Sequence, residues 1–159
     1  MLISPESLAV LGGAVALAGG IAGSSIGVGW AGGPACAALA EDPGQLKNVL
    51  ILVSLPLTQT FYALIILILI ITTVNPNISA MPDPKGAGFA VFAIGLISSS
   101  AELWSAAYQG SICGSGISLL VKTKGQILAN TIMLAVFVEL LGVLGMVFCI
   151  MAFSMLGLF

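Results

Sequence analysis

Polar residues in this chain come in short bunches, and between them lie four apolar runs at about residues 8–40, 46–74, 86–121 and 127–158. Each run exceeds the roughly 20 residues that cross a bilayer as a helix, so the pattern predicts four long transmembrane helices. The breaks between runs differ in character. Glu41-Asp42-Pro43-Gly44-Gln45 and Lys122-Thr123-Lys124-Gly125-Gln126 read as tight polar turns, whereas residues 75–85 read as a looser loop with Pro76, Pro82 and Pro84 as helix breakers. Residues 1–23 are apolar and rich in small side chains, as a secretory leader is. They lack a basic start and the apolar run continues beyond them, so they read as mature protein.

Composition turns this pattern into a membrane assignment. Hydrophobic residues make up 59% of the 159 and charged residues 6%, against about 25% charged in a soluble domain. So little charge cannot cover a globular surface, and the apolar excess faces lipid. There is no His, and there is no basic cluster among 4 Lys+Arg, which excludes imidazole catalysis, a zinc finger and a nucleic-acid surface. Cys36, Cys113 and Cys149 lie in apolar stretches and read as small buried hydrophobes. Lys47, Lys122 and Lys124 flank the two tight turns, against Lys85 at the other end. By the positive-inside rule the tight turns are cytoplasmic and both termini are outside.

The chain also repeats itself. Gly44-Gln45 recurs as Gly125-Gln126, Ser24 falls against Ser105 at the same shift, and a shift one residue shorter sets Gln59 opposite Glu139. The reading is all-α, with four transmembrane helices as two duplicated hairpins in parallel orientation. Residues 1–80 form the first hairpin, and residues 81–159 form the second, which carries the intramembrane carboxylate. Gly19, Gly23 and Gly27 place a small-residue stripe on the first helix, the pattern of close helix packing in membranes. Within that run Gly27-Val28-Gly29-Trp30-Ala31-Gly32 matches a dinucleotide fingerprint, but no strand precedes it, so packing is the better reading.

Chemistry is expected where polar side chains interrupt the apolar runs. Glu139 stands in Ala135-Val136-Phe137-Val138-Glu139-Leu140-Leu141-Gly142, and a carboxylate at that depth marks a functional site by default. Leu55, Thr58, Gln59 and Tyr62 share one face of the second helix at i, i+3, i+4, i+7. With a rise of about 1.5 Å per residue, Gln59 lies ~18 Å from Lys47, Gln109 ~20 Å from Lys122 and Glu139 ~22 Å from Lys124. Two amides and one carboxylate thus meet near mid-membrane, with the Thr58 hydroxyl beside them. These are hard oxygen donors around a single charge, a set suited to a monovalent cation. Taken one at a time, the same side chains fit interhelical hydrogen bonds worth about 0.6 kcal/mol each. Glu102, two turns outward of Gln109, fits an accessory charge, a protonated carboxyl or a group near the outer water.

Pro-x-Thr-Gln-x-x-Tyr in the second helix (Pro56, Thr58, Gln59, Tyr62), Gln109-Gly110 in the third and Val138-Glu139 in the fourth resemble the membrane rotor proteolipid of V-type ATPases. The sodium-transporting bacterial branch is the most similar. The resemblance spans essentially the whole chain. It implies Na⁺ held by the Leu55 carbonyl, the Thr58 hydroxyl, the Gln59 and Gln109 amide oxygens and the Glu139 carboxylate, with Tyr62 holding Glu139. It also implies a homo-oligomeric ring in a bacterial cell membrane. That ring would turn against a stator subunit bearing a buried Arg and engage a central-stalk subunit, with no catalysis by the chain itself. Small residues on the first and third helices put these on the inner wall of such a ring. A proton at Glu139 is the alternative, although extra oxygen ligands are unnecessary for a proton. A proton-coupled exporter, or a channel lined by Gln59 and Gln109, are the readings from other classes.

Overall fold

A computed structural model describes residues 4–159; the first three residues of the expected first hairpin lie outside the described residues. Four helices long and apolar enough to cross a membrane run up and down: α1 Pro5–Glu41, α2 Pro43–Ile78, α3 Pro84–Ile117 and α4 Leu128–Met155. Their starts follow from local chemistry. Ser4 caps α1 by accepting from the Ser7 N–H at 3.1 Å, and Asp83 caps α3 by accepting from the Gly86 N–H at 3.1 Å, each followed by a proline whose missing N–H costs nothing there. Asp42 ends α1 and opens α2, accepting from the Gly44 N–H at 2.9 Å.

Two boundaries differ from the sequence expectation. α2 passes through Pro76 to Ile78 because a π turn at Ile70–Val74 precedes the proline, so residues 75–78 are helical and the connection shortens to Ser79–Asp83. α3 ends at Ile117, short of residue 121. Beyond it the Ser118 hydroxyl donates to Ser115 O at 2.8 Å and the Thr123 hydroxyl to Leu119 O at 2.8 Å, competing with the backbone ladder. Lys124 and Gly125, at φ 51° and 81°, then reverse the chain. Cys113 and Cys149 are buried as expected, whereas Cys36 is exposed.

α1 and α3 lie side by side in parallel and touch backbone to backbone. A methyl added at Gly12 would meet Phe92 Cα at 2.7 Å, and one at Gly23 would meet Leu103 Cα at 2.6 Å; at Gly27 and Gly110 it would strike the opposite backbone directly. Glycine is required at these positions by proximity. α2 packs on α1 through Thr60, whose hydroxyl donates to Ser24 Oγ at 2.8 Å. Two apolar clusters fill the bundle. One, near the termini, contains Ile66, Ile70, Val91, Cys149 and Phe153; the other, near the turns, contains Ala31, Leu52, Cys113, Ile117 and Ala135. Between them lies a layer of buried polar side chains: Ser24, Gln59, Ser98, Glu102, Ser105 and Gln109.

Candidate ion-binding site

Pro56 sets the local backbone. It has no N–H to give the preceding turn, and residues Leu55–Leu57 tighten into a 3₁₀ turn in the middle of α2. The Leu55 carbonyl there accepts from both the backbone N–H and the hydroxyl of Thr58, the latter at 3.1 Å. The same hydroxyl lies 3.1 Å from Gln59 Oε1. Three oxygens from one helix are thereby gathered at a single point.

α3 and α4 complete the cluster. Gln59 Nε2 donates to Gln109 Oε1 at 2.8 Å, Gln109 Nε2 donates to Glu139 Oε2 at 3.3 Å, and the Tyr62 hydroxyl donates to Glu139 Oε1 at 2.9 Å. All six residues singled out in the sequence are thus joined in one chain of contacts. Gln59 and Gln109 are fully buried, while Leu55, Thr58, Tyr62 and Glu139 are half-buried. The amides therefore form the floor and the carboxylate stands toward the bundle surface. A carbonyl oxygen has two lone pairs, so Gln59 Oε1 and Gln109 Oε1 each keep one beyond the hydrogen bond they accept. The arrangement can surround a small cation with oxygen while supplying one negative charge.

Sequence reasoning missed Ser105 as part of the site. Its hydroxyl accepts from Gln59 Nε2 at 3.1 Å and donates to the Val138 carbonyl at 2.8 Å, tying the floor to α4 immediately before Glu139. The signal for it in the sequence was its place four residues before Gln109 on the same helical face. Gly142 was also missed; a methyl there would stand 3.3 Å from Gln59 Cγ and 3.0 Å from Ser105 Oγ, so its bareness lets the network close. Glu102 is fully buried rather than near the outer water.

Comparison with known proteins decides the family. The family model for the C-type subunit of ATP synthase matches residues 11–70, within α1 and α2. The chain is 32% identical over 127 residues to the V-type sodium ATPase subunit K of Enterococcus hirae, covering 79% of this chain and 76% of that protein. The chain belongs to the c/K proteolipid family of rotary ATPases. A second relative in this family, the A-type ATP synthase subunit K of Methanocaldococcus jannaschii, is 28% identical over 153 residues, which are 94% of this chain and 63% of that protein. Proteins of the c/K family are non-catalytic, ion-translocating membrane subunits that form rings within ATPase complexes. The four apolar helices accord with an integral, multi-pass member.

Proposed function

We propose that this chain is a V-type rotor subunit that carries Na⁺, bound by the Leu55 carbonyl, Thr58, Gln59, Gln109 and Glu139 and steadied by Tyr62. One observation carries the reading: a single carboxylate and two amides from three helices converge, with a threonine hydroxyl, between two apolar clusters. Sodium in the name of the Enterococcus relative is consistent with it. The mechanism is charge compensation. An empty, ionised Glu139 is costly beside lipid, whereas Na⁺ bound to it makes the site neutral and free to pass through the bilayer as the ring turns. A stator subunit with a buried Arg would open each site to water in turn, and a central-stalk subunit would transmit the torque of ATP hydrolysis.

The two halves, residues 1–80 and 81–159, are read as duplicated hairpins. In support, the register between α1 and α3 matches the internal repeat: Gly12 faces Phe92, Gly19 faces Ser99 and Gly23 faces Leu103, each pair 80 positions apart. Gln59 then marks where the first half has a neutral amide in place of a carboxylate. The glycine contacts between α1 and α3 suit the inner wall of a ring, with α2 and α4 outside. The lysine distribution puts the two tight turns in the cytoplasm and both termini on the far side.

The experiment is protection of Glu139 from a carboxyl-reactive carbodiimide, which needs the protonated acid. Na⁺ should protect, and because Na⁺ and the proton compete for one carboxylate, the Na⁺ needed should rise as pH falls, by roughly tenfold per pH unit at full competition. Labelling indifferent to Na⁺ at every pH would reject sodium and leave a proton-carrying rotor.

A further inference from the structure

Ser98, Glu102, Ser105 and Gln109 form one buried stripe of α3 at helical spacing. Ser105 and Gln109 belong to the network around Glu139. Glu102 does not. It is fully buried, and neither Oε1 nor Oε2 has a hydrogen-bond partner; the Ser98 hydroxyl, one turn away, has none either.

The room for this carboxyl is made by glycine. A methyl at Gly142 of α4 would stand 2.8 Å from Glu102 Oε2, and one at Gly145 would stand 3.8 Å from Oε1. The groups around it are few. α1 lays Gly23 against the backbone of Glu102 and Leu103, and carries no titratable side chain between Glu6 and Cys36. α2 brings Tyr62, and α4 brings Glu139, one turn before Gly142, and Cys149, one turn after Gly145. The four lysines lie toward the ends of the bundle. An ionised Glu102 would therefore lack both a counter-charge and a hydrogen-bond donor, a state that buried carboxylates avoid. Na⁺ is a poor remedy, since a dehydrated Na⁺ needs several oxygens and the carboxyl is bordered by Gly142, Gly145 and Ala101. A proton needs only the carboxyl itself.

We propose that Glu102 is a proton-binding site separate from Glu139, kept loaded as the neutral acid while a cation exchanges at Glu139. Two carboxyls lie inside the bundle, and one charge is exchanged. If Glu102 were ionised, a chain with its Glu139 site filled would still carry a negative charge at membrane depth and could not turn freely past lipid. The inference goes beyond the choice of ion at Glu139 and does not depend on it.

The test is infrared spectroscopy of the full-length protein in lipid vesicles, with isotope-labelled glutamate carboxyls, in buffers with and without NaCl. A protonated glutamate absorbs as an acid carbonyl, distinct from the carboxylate bands. The expected result is a labelled acid band that persists in NaCl, remains in Glu139→Gln and disappears in Glu102→Gln. If Glu102→Gln does not assemble, the Glu139→Gln spectrum alone decides, because Glu102 is then the one carboxyl left in the polar layer. No acid band there, or a band that NaCl bleaches, overturns the proposal. So does an unchanged band in Glu102→Gln. Radioactive Na⁺ bound per chain is measured alongside: its absence from the wild type would count against sodium at Glu139 while leaving the Glu102 band in place.

Discussion

Replacing Gly23 by alanine puts a methyl group where α1 and α3 already touch. The added carbon would stand 2.6 Å from both the Cα and the carbonyl oxygen of Leu103 and 3.0 Å from the carbonyl oxygen of Glu102. These are backbone atoms and cannot swing aside. To regain the 3.4 Å at which ordinary contact begins, the helices must part by about 0.8 Å, which a close-packed seam resists. Overpacking of this kind costs about 1–3 kcal/mol, and three backbone atoms at or inside 3.0 Å place Gly23→Ala toward the upper end. The better helix propensity of alanine returns about 1 kcal/mol. The net expectation is a loss of about 1–2 kcal/mol, a factor of roughly 5–30 in the folding equilibrium. Gly29→Ala is the internal control: it makes the same chemical change in the same helix, with nothing within 4 Å of the added carbon. It should gain up to about 1 kcal/mol, so the two variants should differ by about 2–3 kcal/mol. Titration with a denaturing detergent, followed by the fluorescence of Trp30 and of Trp104 beside Leu103, reads the difference. Gly23→Ala unfolding no earlier than Gly29→Ala would refute the close backbone seam.

Glu139→Gln nearly keeps the side-chain shape but removes the charge; the ring should still assemble and ion transport by the complete complex should be lost, so retained pumping would reject Glu139 as the carrier. Gln59→Ala and Gln109→Ala each remove an oxygen from the dry floor of the site. The Na⁺ concentration that half-protects Glu139 should rise at least about tenfold in each, the scale of a hydrogen bond to a charged group, while Tyr62→Phe should raise it less; equal protection in all three variants would contradict the ligand set. Ser105→Ala deprives the Val138 carbonyl of its donor and Gln59 of one acceptor. With one neutral hydrogen bond worth about 1 kcal/mol, Na⁺ affinity measured by titration should fall about fivefold, and no change would place Ser105 outside the site.

The depth of the site was legible because charge is so rare in this chain. Counting residues inward from Lys47, Lys122 and Lys124 brought Gln59, Gln109 and Glu139 to one level, and hydrogen bonds join them there. Pro56 likewise announced the break in α2. Ser105 was harder to read because a membrane serine usually satisfies itself. Ser100 donates to Leu96 O and Ser115 to Ser111 O, each four residues back. Only the tertiary neighbours separate Ser105, which reaches across to α4, from these. Pro76 misled for a related reason: the proline rule is local, and the wide turn before it, which makes it tolerable, has no signature in residue type. The burial of Glu102 depends on two glycines of another helix, Gly142 and Gly145, which sequence spacing does not pair with it.

The wide turn at Ile70–Val74 has a consequence for chain length. Buried positions on α2 alternate by three and four through Val49, Leu52, Pro56, Gln59, Ala63 and Ile66, then advance by four to Ile70, Val74 and Ile78. In a regular α-helix each step of four rotates the face by about 40°, and three such steps would carry Ile78 well round from α1. The π turn takes up that rotation, so the segment holds a residue that a plain helix would not need. Loss of one residue within 70–74 closes the turn to α and leaves Gln59 and Ile78 facing as before. Loss of one between Gln59 and Ile66 swings everything beyond it by about 100°. Single-residue gaps between this chain and its relatives are therefore tolerated in that turn and excluded beside the ion site.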